Sequence, residues 1–173
     1  MSDRVLIAYA SVSGSTGQIA EAIGLSLIEE NLLVDVFHMH DVRVLNHYRA
    51  VILGTAIRRG NPLPEALRFV QQHRAALRHI PLAVFSVGVT MRHDTPQSRI
   101  EAKAHLAPLL KEINEPFSVG LFAGRLDYNR ISLFWRLLTP REGVQRVKAG
   151  DWRNWEKIRA WSDEVAARLA EIN

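Results

Sequence analysis

The chain has 173 residues, a formal net charge of +4 and no cysteine, which excludes disulfides, thiolate metal sites and cysteine nucleophiles. Its basic balance, with a pI near 9.8, favours an anionic small molecule, an anionic membrane surface or an acidic protein as partner, and no motif supports nucleic acid. No apolar run reaches the ~18–20 residues of a membrane-spanning helix, so we expect one cytoplasmic domain over residues 1–173.

The first predicted strand, Val5 to Ala10, is continuously apolar, as in a parallel strand that is covered on both faces. It is followed by Ser11-Val12-Ser13-Gly14-Ser15-Thr16-Gly17 and by a helix that is predicted from near Gln18 to Glu30. This order directs backbone N–H groups and the positive end of a helix dipole at one point, where a phosphate fits. The loop lacks the lysine of nucleoside-triphosphate loops and the dinucleotide fingerprint, so we predict an uncharged cradle for one terminal phosphate. A turn that only caps the helix is the alternative.

The remaining strands and helices alternate, which predicts a doubly wound parallel α/β sheet of five strands in the order 2-1-3-4-5, with helices on both faces. The later strands are predicted at Leu33 to Met39, Tyr48 to Gly54, Pro81 to Val87 and Phe117 to Ala123. The later helices are predicted from Asn61 to His73, from a cap at Asp94 or Thr95 to about Ile113 with a break at Pro108, and from a cap at Asp151 onward.

Ligands of such sheets bind at the carboxyl ends of the strands, where the winding direction reverses. In this order that crevice lies between strands one and three, and the loops after strands three and four are expected to reach it. The candidate residues there are Thr55, Ala56, Ile57, Arg58, Arg59 and Gly60 after strand three, and Ser86, Val87 and Gly88 at the end of strand four.

Two histidines at the end of the second predicted strand are the candidates for a metal site. His38 and His40 are two residues apart and would project from one face of an extended segment. The sequence shows no third ligand at a suitable spacing, so we predict no metal.

The segment from Arg125 to Gly150 interrupts the alternation of strands and helices. It combines the apolar run Ile131 to Leu138 with six basic and two acidic residues. Two interpretations stay open: a helix that lies on anionic lipid, or a helix that completes the core or an oligomer interface. In the helix that follows, the residues expected to cover the sheet are Trp152, Trp155, Ile158, Val165 and Leu169.

The phosphate loop resembles that of the flavodoxins, which hold the phosphate of FMN. The signature positions are Ile7, Tyr9, Ser11, Gly14, Thr16, Ala20 and Ile23. Three further stretches resemble one flavodoxin-like branch, the menaquinone-dependent protoporphyrinogen IX dehydrogenases: Gly54 to Gly60, Ala123 to Tyr128, and the basic insertion that ends at Asp151-Trp152. The resemblance implies FMN as cofactor and, in haem biosynthesis, oxidation of protoporphyrinogen IX to protoporphyrin IX with a quinone as acceptor.

The same resemblance suggests roles for individual residues, without a catalytic acid or base. Contacts with the flavin ring are expected from Ile57, Arg58, Met91 or Tyr128, and contacts with tetrapyrrole propionates from Arg58, Arg92, Arg125 and Arg130. By its charge alone, a guanidinium of Arg58 or Arg59 near the flavin would favour the reduced anion and so suit electron acceptance; the alternative is that both arginines point into water or bind surface carboxylates. The alternatives are an electron-transfer flavodoxin and a binding or regulatory module. Peripheral contact with the inner face of the cell membrane through Arg125–Gly150, and a homo-oligomer, stay open.

Overall fold

The structure, a computed structural model, describes residues 3–127 and 148–172. The strands of the described residues are β1 (Arg4–Ala10), β2 (Leu33–His38), β3 (Tyr48–Arg58), β4 (Asn61–Pro62), β5 (Leu82–Val87), β6 (Ser118–Phe122), β7 (Arg125–Leu126) and β8 (Gly150–Asp151). The α-helices are α1 (Ser15–Glu29), α2 (Pro64–Gln72), α3 (Arg74–Leu77), α4 (Pro96–His105), α5 (Ala107–Leu110) and α6 (Trp155–Glu171), with 3-10 turns at Met39–Asp41 and Val89–Arg92.

The main sheet has the order β2-β1-β3-β5-β6, and each of these neighbouring pairs is parallel. This is the predicted order 2-1-3-4-5 once the two-residue strand β4 is left out of the count, so the predicted fold class is confirmed. Strand β4 pairs antiparallel with the end of β3, and β7 pairs with β8 in a separate two-stranded ribbon.

Two apolar clusters cover the two faces of the sheet, because successive strand residues point to opposite sides. On one face, Val5 and Ile7 of β1 pack with residues of α1 and α6. On the other, Leu6 and Ala8 pack with residues of α2, α3 and α5. Covered on both sides, β1 is fully buried at these positions, as its unbroken apolar sequence predicts.

The predicted start of the second helix is wrong. Asn61 and Pro62 do not begin α2 but form β4, which turns back on β3 in a tight hairpin. The two turn residues, Arg59 and Gly60, both have positive φ, of 50° and 74°, as a two-residue type I′ turn requires. The helix then begins at Pro64, with Leu63 as its cap.

The predicted cap and core of the last helix also need correction. Asn154, not Asp151, caps α6, and its side chain accepts a hydrogen bond from the Lys157 N–H at 3.0 Å. Trp155 is 46% exposed, whereas Trp161 is buried and donates from Nε1 to Ser118 Oγ at 2.9 Å. Trp161 therefore supplies the buried indole of this helix.

Two other predictions hold. Thr95 caps α4 through a reciprocal capping box with Ser98, and the helical run breaks at Leu106, two residues before Pro108.

No helix of the described ranges is long and apolar enough to cross a membrane. The predictions for Tyr128, Arg130 and the apolar run Ile131 to Leu138 lie outside the described residues.

Candidate functional site

The loop after β1 is shorter than predicted, because α1 begins at Ser15 and not near Gln18. Gly14 caps the helix in a left-handed conformation with φ of 89°, which suits a residue without a Cβ, and its N–H donates to Ser11 Oγ at 3.0 Å. The Gln18 N–H bonds to the Gly14 carbonyl at 3.1 Å, which closes the first helical turn.

The N–H groups that precede this bond, on Ser15, Thr16 and Gly17, have no carbonyl of their own helix to bind. Within the described parts of the chain no side chain caps α1, and its first turn contains no acidic residue. The positive end of the helix dipole is therefore open to an external anion.

Thr16 adds a second, independent observation at the same point. Its side chain is fully buried, and its Oγ1 has no hydrogen-bond partner among the residues that the structure describes. A buried unpaired hydroxyl costs about 1–3 kcal/mol, so such a group needs an explanation. A bound acceptor such as a phosphate oxygen supplies one, and the hydroxyl thus fits the terminal phosphate of FMN.

A cavity of about 200 Å³ opens beside this loop, at the carboxyl ends of β1, β3 and β5. Its lining consists of Val12, Ser13, Ser15, Ala56, Ile57, Arg58, Leu63, Val87, Gly88, Val89, Gly124, Arg125 and Leu126. A larger cavity of about 530 Å³ lies away from these strand ends and includes Asp3, Arg49 and Pro81 in its lining. The smaller cavity is the candidate site, because it adjoins the open end of α1 and lies where doubly wound sheets bind ligands.

Eight of the residues predicted to bind the cofactor line this cavity, and so does Arg125, which was predicted to contact the substrate; the eight are Val12, Ser13, Ser15, Ala56, Ile57, Arg58, Val87 and Gly88. Ser11, Gly14 and Thr16 shape the adjoining phosphate loop instead. Thr55 is buried; its Oγ1 donates to the Ala56 carbonyl at 3.0 Å and accepts from the Leu63 N–H at 3.2 Å, which ties β3 to the start of α2.

The other candidates stand outside the lining. Ser86 is buried within β5, while Arg59 and Gly60 form the β3–β4 turn. Met91 packs against Ala102 and Ala123 in a small cluster of its own and is not among the lining residues. Although Met91 follows the carboxyl end of β5, it therefore does not line this cavity.

Four lining residues were not predicted from the sequence: Leu63, Val89, Gly124 and Leu126. Leu63 reaches the cavity because the hairpin directs the chain back across β3. Gly124 lies so close to its neighbours that a Cβ would stand 2.8 Å from Val87 Cγ1 and 3.3 Å from Ser15 Oγ. A glycine directly after the last strand was the available signal for this close approach.

Arg153 is a further residue that the sequence did not single out. Its side chain is 8% exposed, and its Nε and Nη2 pair with the two carboxylate oxygens of Asp151 at 2.8 and 2.6 Å. Its Nη1 donates to Gln18 Oε1 at 2.5 Å. These bonds lower the pKa of Asp151 and raise that of Arg153, and they join the chain before α6 to the first turn of α1.

A second ionic contact joins α4 to α6. The Asp94 carboxylate accepts a hydrogen bond from Arg99 Nε at 2.5 Å and also pairs with Lys157. The hydrogen bonds from Arg99 and Lys157 hold the pKa of this carboxyl well below its usual range. The contact stabilises the elements that follow β5 and does not touch the cavity.

A family model described as "Flavodoxin domain" matches residues 6–139 of the chain. The chain is 29% identical to a protoporphyrinogen IX dehydrogenase (quinone) of Leishmania major, over 96% of this chain and 76% of the relative. It is 24% identical to a protein of the same name from Escherichia coli K12, over 94% of each.

Solved flavodoxin structures have the same fold. Oxidised flavodoxin 2 of Bacillus cereus has a TM-score of 0.56 at 21% identity, over 98% of this chain and 99% of that one. A flavodoxin from the domain Archaea has a TM-score of 0.59 at 15% identity, over 96% and 99%.

Proposed function

Because the chain belongs to the flavodoxin domain family and its cofactor is FMN, we propose that it is an oxidoreductase that oxidises protoporphyrinogen IX to protoporphyrin IX and passes the electrons to a quinone. The two relatives that carry this activity in their names, at 24% and 29% identity, support the choice of substrate and acceptor. We further propose that residues 1–173 act as one flavodoxin-like domain.

The observation that carries the FMN-binding part of the proposal is the hydroxyl of Thr16 in the first turn of α1, which has no hydrogen-bond partner among the described residues. In the proposed complex the FMN phosphate accepts from this hydroxyl, from the N–H groups of Ser15, Thr16 and Gly17, and from the hydroxyls of Ser13 and Ser15. All of these donors are uncharged. Such a cradle suits one phosphate monoester, because several N–H groups and the helix dipole share its charge.

The flavin ring is proposed to occupy the cavity next to this loop. Ile57 and Val87 offer apolar surface to a flat ring, and Gly88 makes room for Ile57, because a Cβ at Gly88 would stand 3.2 Å from Ile57 Cβ. FMN supplies hydride and electron transfer when it is bound, and the protein supplies binding, orientation and electrostatics. The described lining contains no carboxylate and no imidazole, so we assign no catalytic acid or base.

Cationic groups at the cavity are proposed to receive the propionates of the tetrapyrrole. Arg58 and Arg125 line the cavity, and Arg125 Nη2 also pairs with Asp127 Oδ2 at 2.8 Å. Arg92 is exposed at the turn after β5 and is not among the lining residues. Guanidinium groups bind carboxylates through paired, charge-assisted hydrogen bonds, so Arg58 and Arg125 provide a physical reason for a dianionic substrate.

The test is anaerobic reconstitution with FMN, followed by addition of protoporphyrinogen IX and a menaquinone analogue. We expect porphyrin fluorescence to rise faster than in protein-free and FMN-free controls. We also expect Arg58→Gln to raise the KM for porphyrinogen, whereas Arg159→Gln should leave it unchanged. Arg159 is a matched control, because it is an exposed arginine of α6 that pairs with Glu29. A rate equal to that of the protein-free control would exclude the dehydrogenase activity.

An electron-transfer carrier is the second candidate, and the likeness of the fold to flavodoxins favours it. A carrier would reduce a partner protein and leave porphyrinogen unoxidised, so the same assay separates the two functions.

Contact of Arg125–Gly150 with an anionic membrane at the inner face of the cell membrane is part of the proposal. It rests on the sequence of the segment, which mixes apolar residues with cations. Charge reversal at Arg130, Arg136 and Arg141 should reduce sedimentation with anionic vesicles, and unchanged sedimentation would exclude lipid contact through these charges.

A further inference from the structure

A cluster of two histidines and a glutamate lies at the end of β2, apart from the cavity described above. His38 ends β2, and His40 lies in the 3-10 turn Met39–Asp41 that follows it. Glu65 belongs to the first turn of α2. None of the three lines the cofactor cavity. The third ligand that the sequence did not show is thus supplied by a helix that begins more than twenty residues later.

The three side chains direct one ligand atom each at a common point. His38 Nδ1 lies 3.2 Å from Glu65 Oε1, and His40 Nδ1 lies 3.7 Å from the same oxygen. The two Nδ1 atoms are 2.5 Å apart. Ligand atoms bonded to tetrahedral Zn²⁺ at about 2.0–2.1 Å stand about 3.3 Å from one another, so a small rotation of His40 would open the triangle to this size.

The surroundings fix the ring orientations that a metal site needs. His40 Nε2 lies 3.2 Å from Asp41 Oδ1, so its N–H on that side faces a carboxylate and the lone pair of Nδ1 is left for the cluster. Metal-binding histidines are oriented in this way by an outer carboxylate. The ring of Tyr9 packs edge-on against His38, with the ring centroids 5.1 Å apart.

Two imidazole nitrogens and a carboxylate oxygen at this separation cannot all present lone pairs to one another, so either a hydrogen atom of one ring N–H or a metal ion lies between them. The ligand set suits a metal of the zinc type, because His₂Glu is a recurrent zinc set, whereas Mg²⁺ and Ca²⁺ prefer oxygen ligands alone.

We propose that His38, His40 and Glu65 bind a divalent transition-metal ion of the zinc type. The side chain of His40 is 63% exposed, so a fourth position faces solvent and takes water or a small anion. Three protein ligands with one open position are typical of exchangeable or reactive zinc sites rather than of closed structural ones.

The position of the ion gives it a connection to the cofactor site. Glu65 lies two residues after Leu63, which lines the cavity. The ring of Tyr9, which packs on His38, also lies so close to Gly17 that a Cβ there would stand 2.9 Å from Tyr9 Cε2. The ion would therefore join the end of β2 to the start of α2, beside both walls of the FMN site.

The test is a titration of the untagged, FMN-loaded protein with Zn²⁺, followed by calorimetry and by competition with a chelating dye. We expect one tight equivalent per chain in the wild type. His40→Gln and Glu65→Gln should each weaken it at least tenfold, and Asp41→Asn about tenfold, since outer-shell partners contribute 10–100-fold to affinity. His47→Gln is the matched control, because His47 is exposed and stacks on Tyr48 away from the cluster.

X-ray absorption of the zinc-loaded protein should show two imidazoles in the coordination shell, and one in His40→Gln. Because His40 is exposed, its substitution does not endanger the fold. Wild-type affinity in both His40→Gln and Glu65→Gln would overturn the proposal. Absence of a tight equivalent in the wild type would also overturn it, and would leave a hydrogen bond between the two rings as the explanation of their close contact.

Discussion

Replacing Thr16 by valine tests whether its hydroxyl binds the FMN phosphate. The change should weaken FMN binding without lowering the stability of the FMN-free protein. Valine has nearly the shape of threonine and lacks only the Oγ1 that has no partner among the described residues. In the FMN-free protein its removal deletes a buried unpaired group, which costs about 1–3 kcal/mol. We therefore expect the free energy of unfolding to stay the same or to rise by about 1 kcal/mol.

In the FMN complex the same change removes a hydrogen bond to a charged phosphate. Such bonds contribute about 1.5–3 kcal/mol, so the dissociation constant for FMN should rise roughly 10- to 150-fold. The measurement is quenching of FMN fluorescence during titration of FMN-free protein, combined with urea unfolding of the same samples.

Ser26→Ala is the control, because Ser26 lies near the other end of α1 and its Oγ donates to the Ala22 carbonyl at 3.2 Å. It should lower stability slightly and leave FMN affinity unchanged. An FMN affinity of Thr16→Val equal to that of the wild type, or a loss of stability without FMN, would refute the assignment of Thr16 to the phosphate.

Three further predictions concern stability. Gly54→Ala places a Cβ 2.1 Å from Phe85 Cζ, so we expect a loss of about 1–3 kcal/mol in urea unfolding. Burial, and then the adjacent charge and hydrogen bond of Asp35, raise the pKa of Tyr48 from 10.0 to about 12. The folded state holds the phenolic proton to a higher pH than the unfolded state does. The resulting contribution to stability is therefore complete below pH 10 and is lost as the pH rises to 12. Tyr48→Phe should reduce this loss, as measured by the thermal midpoint. The pKa of Asp94 is lowered, so its carboxylate stabilises the folded state above its ordinary pKa of 3.8, and this contribution is lost on acidification. Asp94→Asn should lower Tm at pH 7, and its Tm should fall less than that of the wild type between pH 5 and 2.

The parts of the fold that follow from local pattern were predictable. The continuous apolar run of β1 and the alternation of strands and helices specify a parallel sheet, and the observed strand order agrees. The break near Pro108 and the cap at Thr95 depend on single residues with strong local preferences, so they too could be predicted.

The errors have a different origin, because they depend on contacts between distant segments. Asn61-Pro62 has the composition of a helix start, yet the positive φ of Arg59 and Gly60 turns it back onto β3. Trp155 and Trp161 both fall near a helical stripe, and only the position of β6 decides that Trp161 reaches the core. Likewise no spacing in the sequence shows that Glu65 meets His38.

The charges around the cavity bear on the direction of electron flow. A carrier that delivers electrons at low potential benefits from neutral or negative groups around a flavin that gains negative charge on reduction. Here the described lining contains Arg58 and Arg125 and no carboxylate. One unit charge at 4 Å contributes on the order of 4 kcal/mol at an effective dielectric of about 20, and Asp127 offsets part of this for Arg125. A substrate with propionates would pair with the same two cations, so the proposed dehydrogenase activity would account for both features with one set of residues.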